Sequence, residues 1–169
     1  RNAEYKNVSR WVDSFAASPN AKRVLFSARG ELFTVPEEHG PVRNISDTPG
    51  VREMSVDWSP DGTWISYLTE VSGDYELFVK KYGSTEKARQ LTENTGSWIT
   101  GYVWSPDSKK IMFADKKNRL MLVDVEEGSV EKIDEGYYSA ISGYKWSPDN
   151  KWIVFHKSDE NHLSSLWLY

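Results

Sequence analysis

Short runs of alternating apolar and polar residues recur along the chain and predict β-strands. Apolar residues stand two positions apart in four equivalent places, which puts them on one face of a strand each time: Val24 and Phe26, Ile65 and Tyr67, Ile111 and Phe113, Ile153 and Phe155. A third apolar run follows each pair at 31–35, 75–79, 120–123 and 166–169, and a shorter fourth run stands at 42–45, 88–91 and 130–133. The pattern therefore predicts a unit of four strands.

A Ser-Pro-Asx tripeptide marks the same point of every unit. It begins at residues 18, 59, 105 and 147, so its copies lie 41 to 46 residues apart. Trp58, Trp104 and Trp146 directly precede the last three copies, and Ala17 precedes the first. A fixed period of this length is typical of a solenoid or a propeller.

The tripeptide has the chemistry of a hairpin turn. In 59–62, Pro presets φ, Asp bonds nearby backbone amides and Gly accepts a positive φ. Asn150 can replace Gly62 because Asn tolerates the left-handed region, whereas Ala21 and Ser108 do so at more cost. We therefore expect looser turns in the first and third units.

Together these features predict an all-β fold, a β-propeller fragment of four blades, each a four-stranded antiparallel sheet. The approximate repeats are 1–40, 41–86, 87–128 and 129–169. The regular tryptophans are expected to pack one blade against the next. A β-sandwich is the alternative, but it does not require the same turn and strand chemistry in every repeat.

The ends of the chain fall inside the repeat. Residues 1 and 2 match the end of an outer strand, and residue 169 closes the third strand of the fourth unit. We therefore expect a piece of a longer propeller, whose terminal blades expose their faces. Self-association is the expected consequence, for instance two copies closing head to tail into one ring.

Composition removes several classes of function. The net charge is −4, with 25 acidic and 21 basic residues spread along the chain, so no basic stripe predicts a nucleic-acid partner. No run approaches the roughly 18 apolar residues of a membrane span. Cysteine is absent, which excludes disulfides and thiolate metal sites.

The repeats also carry a family resemblance. The turn at 58–62, the strand at 64–67 and the ending at 90–92 resemble the WD-like repeats of TolB-type propellers. The stretch from 9 to 33 is more particular and, with 51–53 and 73–77, is similar to the start of the second, seven-bladed propeller of the tricorn protease family. This resemblance covers essentially the whole chain.

The resemblance implies a longer parent, a self-compartmentalising serine peptidase that forms homo-oligomers and lies in the cytoplasm or, in exported homologues, the periplasm. Its propellers form gated routes to catalytic residues that lie downstream and match no position here. We thus expect a non-catalytic portion that shapes or gates a channel for peptides. The alternative is a TolB-like propeller that binds a protein partner, in a parent without peptidase activity.

The residues themselves supply no catalytic, cofactor-binding or metal-binding motif: no nucleophile elbow, zinc-binding helix or phosphate-binding loop is present. His156 and His162 flank a polar segment, but their spacing matches no recognised set of metal ligands. We interpret that segment as a variable turn. We therefore expect no catalytic residue, no cofactor and no metal.

Four residues are the candidate contacts for a passing peptide. Arg52, Glu53, Trp98 and Tyr138 lie in connections that lead from an outer strand to the next inner strand. Such connections surround one mouth of a propeller, and loops are the usual place for binding residues.

Overall fold

The regular secondary structure of the described residues consists of β-strands and one short 3-10 turn. The computed structural model describes residues 9–46, 48, 50–70, 73–93 and 95–169, so the predicted outer-strand end at residues 1 and 2 lies outside it. In the described residues the 3-10 turn Ser9–Trp11 precedes fifteen strands: β1 Val12–Ala17, β2 Arg23–Ala28, β3 Glu31–Pro36, β4 Arg43–Asn44, β5 Glu53–Trp58, β6 Trp64–Thr69, β7 Glu76–Lys81, β8 Arg89–Gln90, β9 Ile99–Trp104, β10 Lys110–Asp115, β11 Arg119–Asp124, β12 Val130–Glu135, β13 Ser142–Trp146, β14 Ile153–Ser158 and β15 Ser164–Leu168.

The strands form four antiparallel sheets in chain order. Sheet 1 is β1-β2-β3-β4, sheet 2 is β5-β6-β7-β8, sheet 3 is β9-β10-β11-β12, and sheet 4 has three strands, β13-β14-β15. The predicted all-β propeller architecture is confirmed. In sheets 1 to 3 the short fourth strand is hydrogen-bonded to the third strand of its own sheet. These sheets therefore end at residues 44, 90 and 135, a few residues after the ends of the approximate repeats.

The core lies between neighbouring sheets. Successive side chains of a strand point to opposite faces of the sheet and pack in different interfaces. Tyr67 packs between sheets 1 and 2, whereas Leu68 packs between sheets 2 and 3. A third cluster, which includes Met112 and Phe155, joins sheets 3 and 4. Each fully buried side chain of this size contributes about 1.5–3 kcal/mol. One sheet therefore has no core of its own and depends on its neighbours.

The tryptophans before the turns pack between the sheets, as predicted. Trp58 and Trp104 are each 5% exposed. Trp104 donates from Nε1 to Ser66 Oγ of the preceding sheet at 2.8 Å. In the described residues the Nε1 of Trp58 and of Trp146 has no partner. The repeat explains this difference, because Leu25 and Met112 occupy the position of Ser66 in the sheets that those tryptophans face.

The Ser-Pro-Asx turns have the same conformation in all four sheets. The serine carbonyl accepts the N–H of the third following residue at 2.8–3.1 Å. That following residue has a positive φ in every case: 56° at Ala21, 74° at Gly62, 63° at Ser108 and 59° at Asn150. The expectation of looser turns at Ala21 and Ser108 is therefore wrong.

The side chains of the turn explain its tolerance. In each copy the serine hydroxyl donates to the Asx Oδ1, at 2.8, 2.5, 2.7 and 2.6 Å in chain order. The same hydroxyl accepts the N–H of the fifth following residue, at 2.8 to 3.0 Å. These bonds hold the turn closed and offset the cost of about 1–2 kcal/mol for a left-handed residue.

The left-handed residue of one turn also reaches the turn of the preceding sheet. Ser108 Oγ accepts the N–H of Asp61 at 3.0 Å, and Asn150 Oδ1 accepts the N–H of Asp107 at 3.2 Å. Gly62 has no side chain with which to repeat this contact. Ser108 and Asn150 therefore adopt the positive φ less easily than glycine, but each adds a hydrogen bond between neighbouring sheets.

The turn carboxylates are held in their charged form. Burial alone raises the pKa of Asp61, but hydrogen bonds from Ser59 and Thr63 outweigh it and lower that pKa below its ordinary value of 3.8. The balance is similar at Asp107, whereas at exposed Asp149 the hydrogen bond from Ser147 is the main cause of the lowered pKa. These groups favour the folded state above their ordinary pKa, and the benefit is lost as pH falls through the lower folded value.

The turn network predicts that two substitutions of Gly62 differ in their effect on the free energy of unfolding. Gly62→Ala keeps the positive φ but adds no acceptor, so the free energy of unfolding should fall by about 1 kcal/mol. Gly62→Asn should recover about 1 kcal/mol of that loss, because Oδ1 can accept the N–H of Asn20 as Asn150 does for Asp107. Urea unfolding measures both, and equal stability of the two variants would contradict the account.

The lowered pKa values predict an acid-dependent loss of stability. We expect the free energy of unfolding of the wild type to fall more steeply between about pH 5 and about pH 2.5 than that of the triple variant Asp61→Asn, Asp107→Asn, Asp149→Asn. Asn20 serves as the natural precedent, since it makes the same bonds as the three aspartates. Urea midpoints across this range measure the effect, and parallel curves would exclude it.

Candidate functional site

The four candidate residues lie at the end of the sheets opposite the Ser-Pro-Asx turns. There the connections between sheets meet the hairpins that join the second and third strands. Three equivalent positions, each seven residues before the turn serine, accept a backbone N–H from such a hairpin: Trp11 from Arg29 at 3.4 Å, Arg52 from Glu70 at 3.1 Å and Trp98 from Lys116 at 3.0 Å. We call this end the mouth.

Trp98 is held on two sides at the mouth. Lys116 Nζ lies 3.9 Å from the centre of its ring, and the Tyr75 ring meets it edge-on at 5.2 Å. The side chain is nevertheless 39% exposed. A rigid aromatic ring with a cation on one face and open area remaining suits contact with a polypeptide.

Arg52 occupies the same position in the preceding connection, but its surroundings differ. Its side chain is exposed, and its backbone carbonyl accepts the N–H of Glu70, the residue equivalent to Lys116 in the next sheet. The connection runs close to the hairpin at Gly30, whose carbonyl accepts the N–H of Glu53 at 3.1 Å. Arg52 therefore places an exposed charge on a backbone that is hydrogen-bonded at the mouth.

Tyr138 stands in a second aromatic group. Its ring meets Tyr137 at 4.9 Å and His162 at 5.2 Å, both edge-on. Tyr138 is 42% exposed and Tyr137 is 84% exposed. Among the described residues no hydrogen bond or ring contact joins any two of the four candidates, so they mark separate points along the mouth.

Glu53 differs from the other three because it is buried, with 1% of its surface exposed. Thr48 Oγ1 donates to its Oε1 at 2.5 Å, while Oε2 has no partner among the described residues. The equivalent residues Val12, Ile99 and Ile141 are apolar. Glu53 thus places a carboxylate where the repeat otherwise places a hydrophobic side chain.

The environment of Glu53 disfavours its charge. Burial raises the pKa of Glu53, the charge of Glu31 adds to this, and hydrogen bonds with Ser46 and Thr48 lower it in part. Between the ordinary pKa of 4.5 and the raised value the folded chain holds a proton that the unfolded chain loses. Stability therefore falls as pH rises through this window.

The described residues contain no group of three or more His, Cys, Asp or Glu side chains placed to hold a metal ion. They also contain no helix long and apolar enough to cross a membrane. The mouth presents aromatic faces and cations at its surface, with the buried carboxylates Glu53, Glu76 and Asp115 behind them.

Residues 12–169 match the family described as the tricorn protease second beta propeller domain. The chain belongs to this family. Among curated relatives, it is 29% identical over 133 residues to tricorn protease homolog 1 of Streptomyces coelicolor, covering 76% of this chain and 12% of the relative. It is 32% identical over 113 residues to dipeptidyl-peptidase 5 of Porphyromonas endodontalis, covering 60% of this chain and 16% of that protein.

Solved structures agree on the fold. The crystal structure of the tricorn protease superposes with a TM-score of 0.79 at 18% identity, over 99% of this chain and 17% of that one. A putative TolB from Agrobacterium tumefaciens gives 0.71 at 22% identity, over 93% of this chain and 57% of that one. The tricorn-type chain thus spans 10% to 16% of the length of the curated relatives that it matches.

Sequence reasoning missed the groups that fix the connections of this tricorn-type propeller. Glu76 is fully buried, and its Oε2 accepts Thr92 Oγ1 at 2.5 Å. Thr92 Oγ1 in turn accepts the N–H of Leu77 at 2.9 Å. Arg119 pairs with buried Asp115 at 2.5 Å and donates to the Thr95 carbonyl at 3.0 Å. These bonds hold the connection that carries Trp98.

Trp11 was also missed as a member of the mouth. Arg10 and Arg29 lie 4.3 and 5.4 Å from the centre of its ring, the same kind of contact that Lys116 makes with Trp98. The available signal was positional, because Trp11, Arg52 and Trp98 stand at the same distance before the turn serine. The mouth therefore presents tryptophan, arginine and tryptophan in three successive repeats.

The buried network around Thr92 predicts a large effect from a small substitution. Thr92→Val leaves Glu76 Oε2 and the N–H of Leu77 without their partner, so the free energy of unfolding should fall by about 2 kcal/mol. Thr100→Val is the control, since Thr100 is exposed and should cost less than about 1 kcal/mol. Equal losses in urea unfolding would show that the network is not what stabilises the connection.

Proposed function

We propose that this chain is the non-catalytic propeller portion of a tricorn-type serine peptidase and that it shapes or gates a peptide channel to a distant active site. The observation that carries the proposal is the match of residues 12–169 to the tricorn second propeller. Because the chain is a small share of its relatives, the peptidase activity, the substrates and the partners of the parent all belong to this proposal.

The mechanism is exclusion. The sheets are joined by fully buried side chains such as Leu25, Ile65 and Ile111. Because such interiors are closely packed, deforming the wall that the sheets form would disrupt these contacts. A passage bounded by such walls admits an extended chain and rejects a folded domain. The exposed rings and cations of the mouth are the surface that an entering peptide meets first, with Arg52, Trp98 and Tyr138 as its proposed contacts. Glu53, which is buried at the start of β5, is a proposed contact only through the cavity that it borders.

The proposed surroundings follow from the same family. A homo-oligomeric parent in the cytoplasm, or in the periplasm for an exported homologue, is consistent with a peptide-processing protein. The isolated chain is proposed to self-associate, because its two terminal faces are apolar and open. Phe15 is 76% exposed on sheet 1, and Leu166 and Leu168 are 66% and 62% exposed on sheet 4.

A TolB-like propeller that binds a protein partner is the second candidate. The similarity to the TolB structure, at 22% identity, supports the shared fold alone. The peptidase relatives therefore favour the channel, and the TolB-like function would require a parent without peptidase activity.

The full-length parent tests the proposed channel. We expect the double variant Trp98→Ala, Lys116→Ala to raise KM for an unfolded protein substrate by about threefold or more, because an aromatic and cationic contact is lost at the mouth. Hydrolysis of a short fluorogenic peptide should keep its kcat. Lys109→Ala, in the turn at the opposite end, is the control. A parent that cleaves no peptide, or equal effects on both substrates, would contradict the proposal.

A further inference from the structure

The buried carboxylate of Glu53 borders a cavity between sheets 1 and 2. The cavity has a volume of about 390 Å³, and its walls include Ser46, Thr48, Tyr67 and Phe78. Its size falls within the range of small-ligand sites, roughly 300–1,000 Å³. It lies beside the segment that follows the two-residue strand β4 and faces strands β6 and β7 of sheet 2.

An unpaired buried carboxylate requires a physical reason. Glu53 Oε1 accepts Thr48 Oγ1 and Ser46 also lowers the pKa of this carboxyl by hydrogen bonding, but Oε2 itself has no partner among the described residues. Leaving a buried polar acceptor unsatisfied costs about as much as a lost hydrogen bond, and an outside cation would offset the burial that disfavours the charge of Glu53. Glu76, the buried carboxylate of the next sheet, has partners for both oxygens, namely Thr92 at Oε2 and the N–H of Thr95 at Oε1. The same fold thus provides hydrogen-bond donors for both carboxylate oxygens of Glu76, whereas Oε2 of Glu53 lacks a donor among the described residues.

No cation among the described residues pairs with Glu53. Two lysines border the cavity, but the ion pairs of the described residues do not include Glu53, and Lys80 Nζ is used by the Glu86 carbonyl at 2.8 Å. Glu31 acts on Glu53 through its charge and Glu86 borders the same cavity, but the described residues contain no group of three or more such side chains placed to hold a metal. A single cationic donor from outside the described residues would complete the hydrogen bonding of Oε2.

The walls select the kind of cation. Tyr67 and Phe78 stack with their ring centres 5.9 Å apart, and an aromatic face attracts a cation. The hydroxyls of Ser46 and Thr48 can accept further N–H bonds. A carboxylate, hydroxyl acceptors and aromatic faces together suit a compact ammonium with three donors.

We propose that this cavity binds the primary ammonium group of a polypeptide, with Glu53 Oε2 as its acceptor. The group comes either from a free amino terminus or from a lysine side chain. The inference deepens the proposed function, because it names the part of a passing peptide that the first two sheets would hold. It requires no catalytic step.

Titration calorimetry on the 169-residue chain tests the site with three peptide amides of equal length. One has a free amino terminus and no lysine, one is its acetylated form, and one is acetylated but contains lysine. We expect the first or the third to bind about tenfold or more tightly than the second. Preference for the first identifies the amino terminus, and preference for the third identifies lysine.

The substitution Glu53→Gln should remove that preference while keeping the shape of the side chain. Asp57→Asn is the matched control, a carboxyl of the same strand whose pKa burial also raises but which does not border the cavity, and it should change binding by less than about twofold. Equal binding of all three peptides to the wild type, or a preference that survives Glu53→Gln, overturns the ammonium site. Because this assay uses no peptidase, its failure leaves the channel test in the parent unaffected.

Discussion

Burial of each sheet against the next is the interaction on which this structure depends. A single antiparallel sheet of four short strands encloses no core, and here both of its faces carry apolar side chains. Tyr67 and Leu68 are adjacent in one strand yet belong to different interfaces. Stability is therefore shared between neighbouring sheets, as in other repeat proteins. The exposure of Phe15 and Leu166 at the two ends follows from the same arrangement.

Polar bonds set the alignment that this packing requires. The Ser-Pro-Asx turn fixes the end of every inner hairpin through its own hydroxyl and carboxylate, and it places the tryptophan before it at the interface. Between sheets 2 and 3, and between sheets 3 and 4, the turns are also joined to each other. Apolar contacts supply most of the energy, while these directional bonds decide how one sheet is set against the next.

The mouth shows how such a framework carries recognition. Its residues sit on connections whose backbone is bonded to the hairpins, so Trp98 is held in place although it is exposed. Buried carboxylates take part in holding the connections, fully paired at Glu76 and half paired at Glu53. A site built on bonded connections can present rings and charges to a ligand with little loss of entropy on binding.

The sequence by itself determined the architecture, because strand periodicity and the repeated turn are local properties that recur at fixed spacing. It gave the four units, the three-stranded last unit and the packing role of Trp58 and Trp104. It could not give the state of Glu53, whose position in the chain resembles an exposed connection. Nor could it show that Ser108 and Asn150 bind the preceding turn, or that Arg29 lies over Trp11. Those contacts join residues from different strands or different repeats, and only the stacking of the sheets brings them within hydrogen-bonding or ring-contact distance.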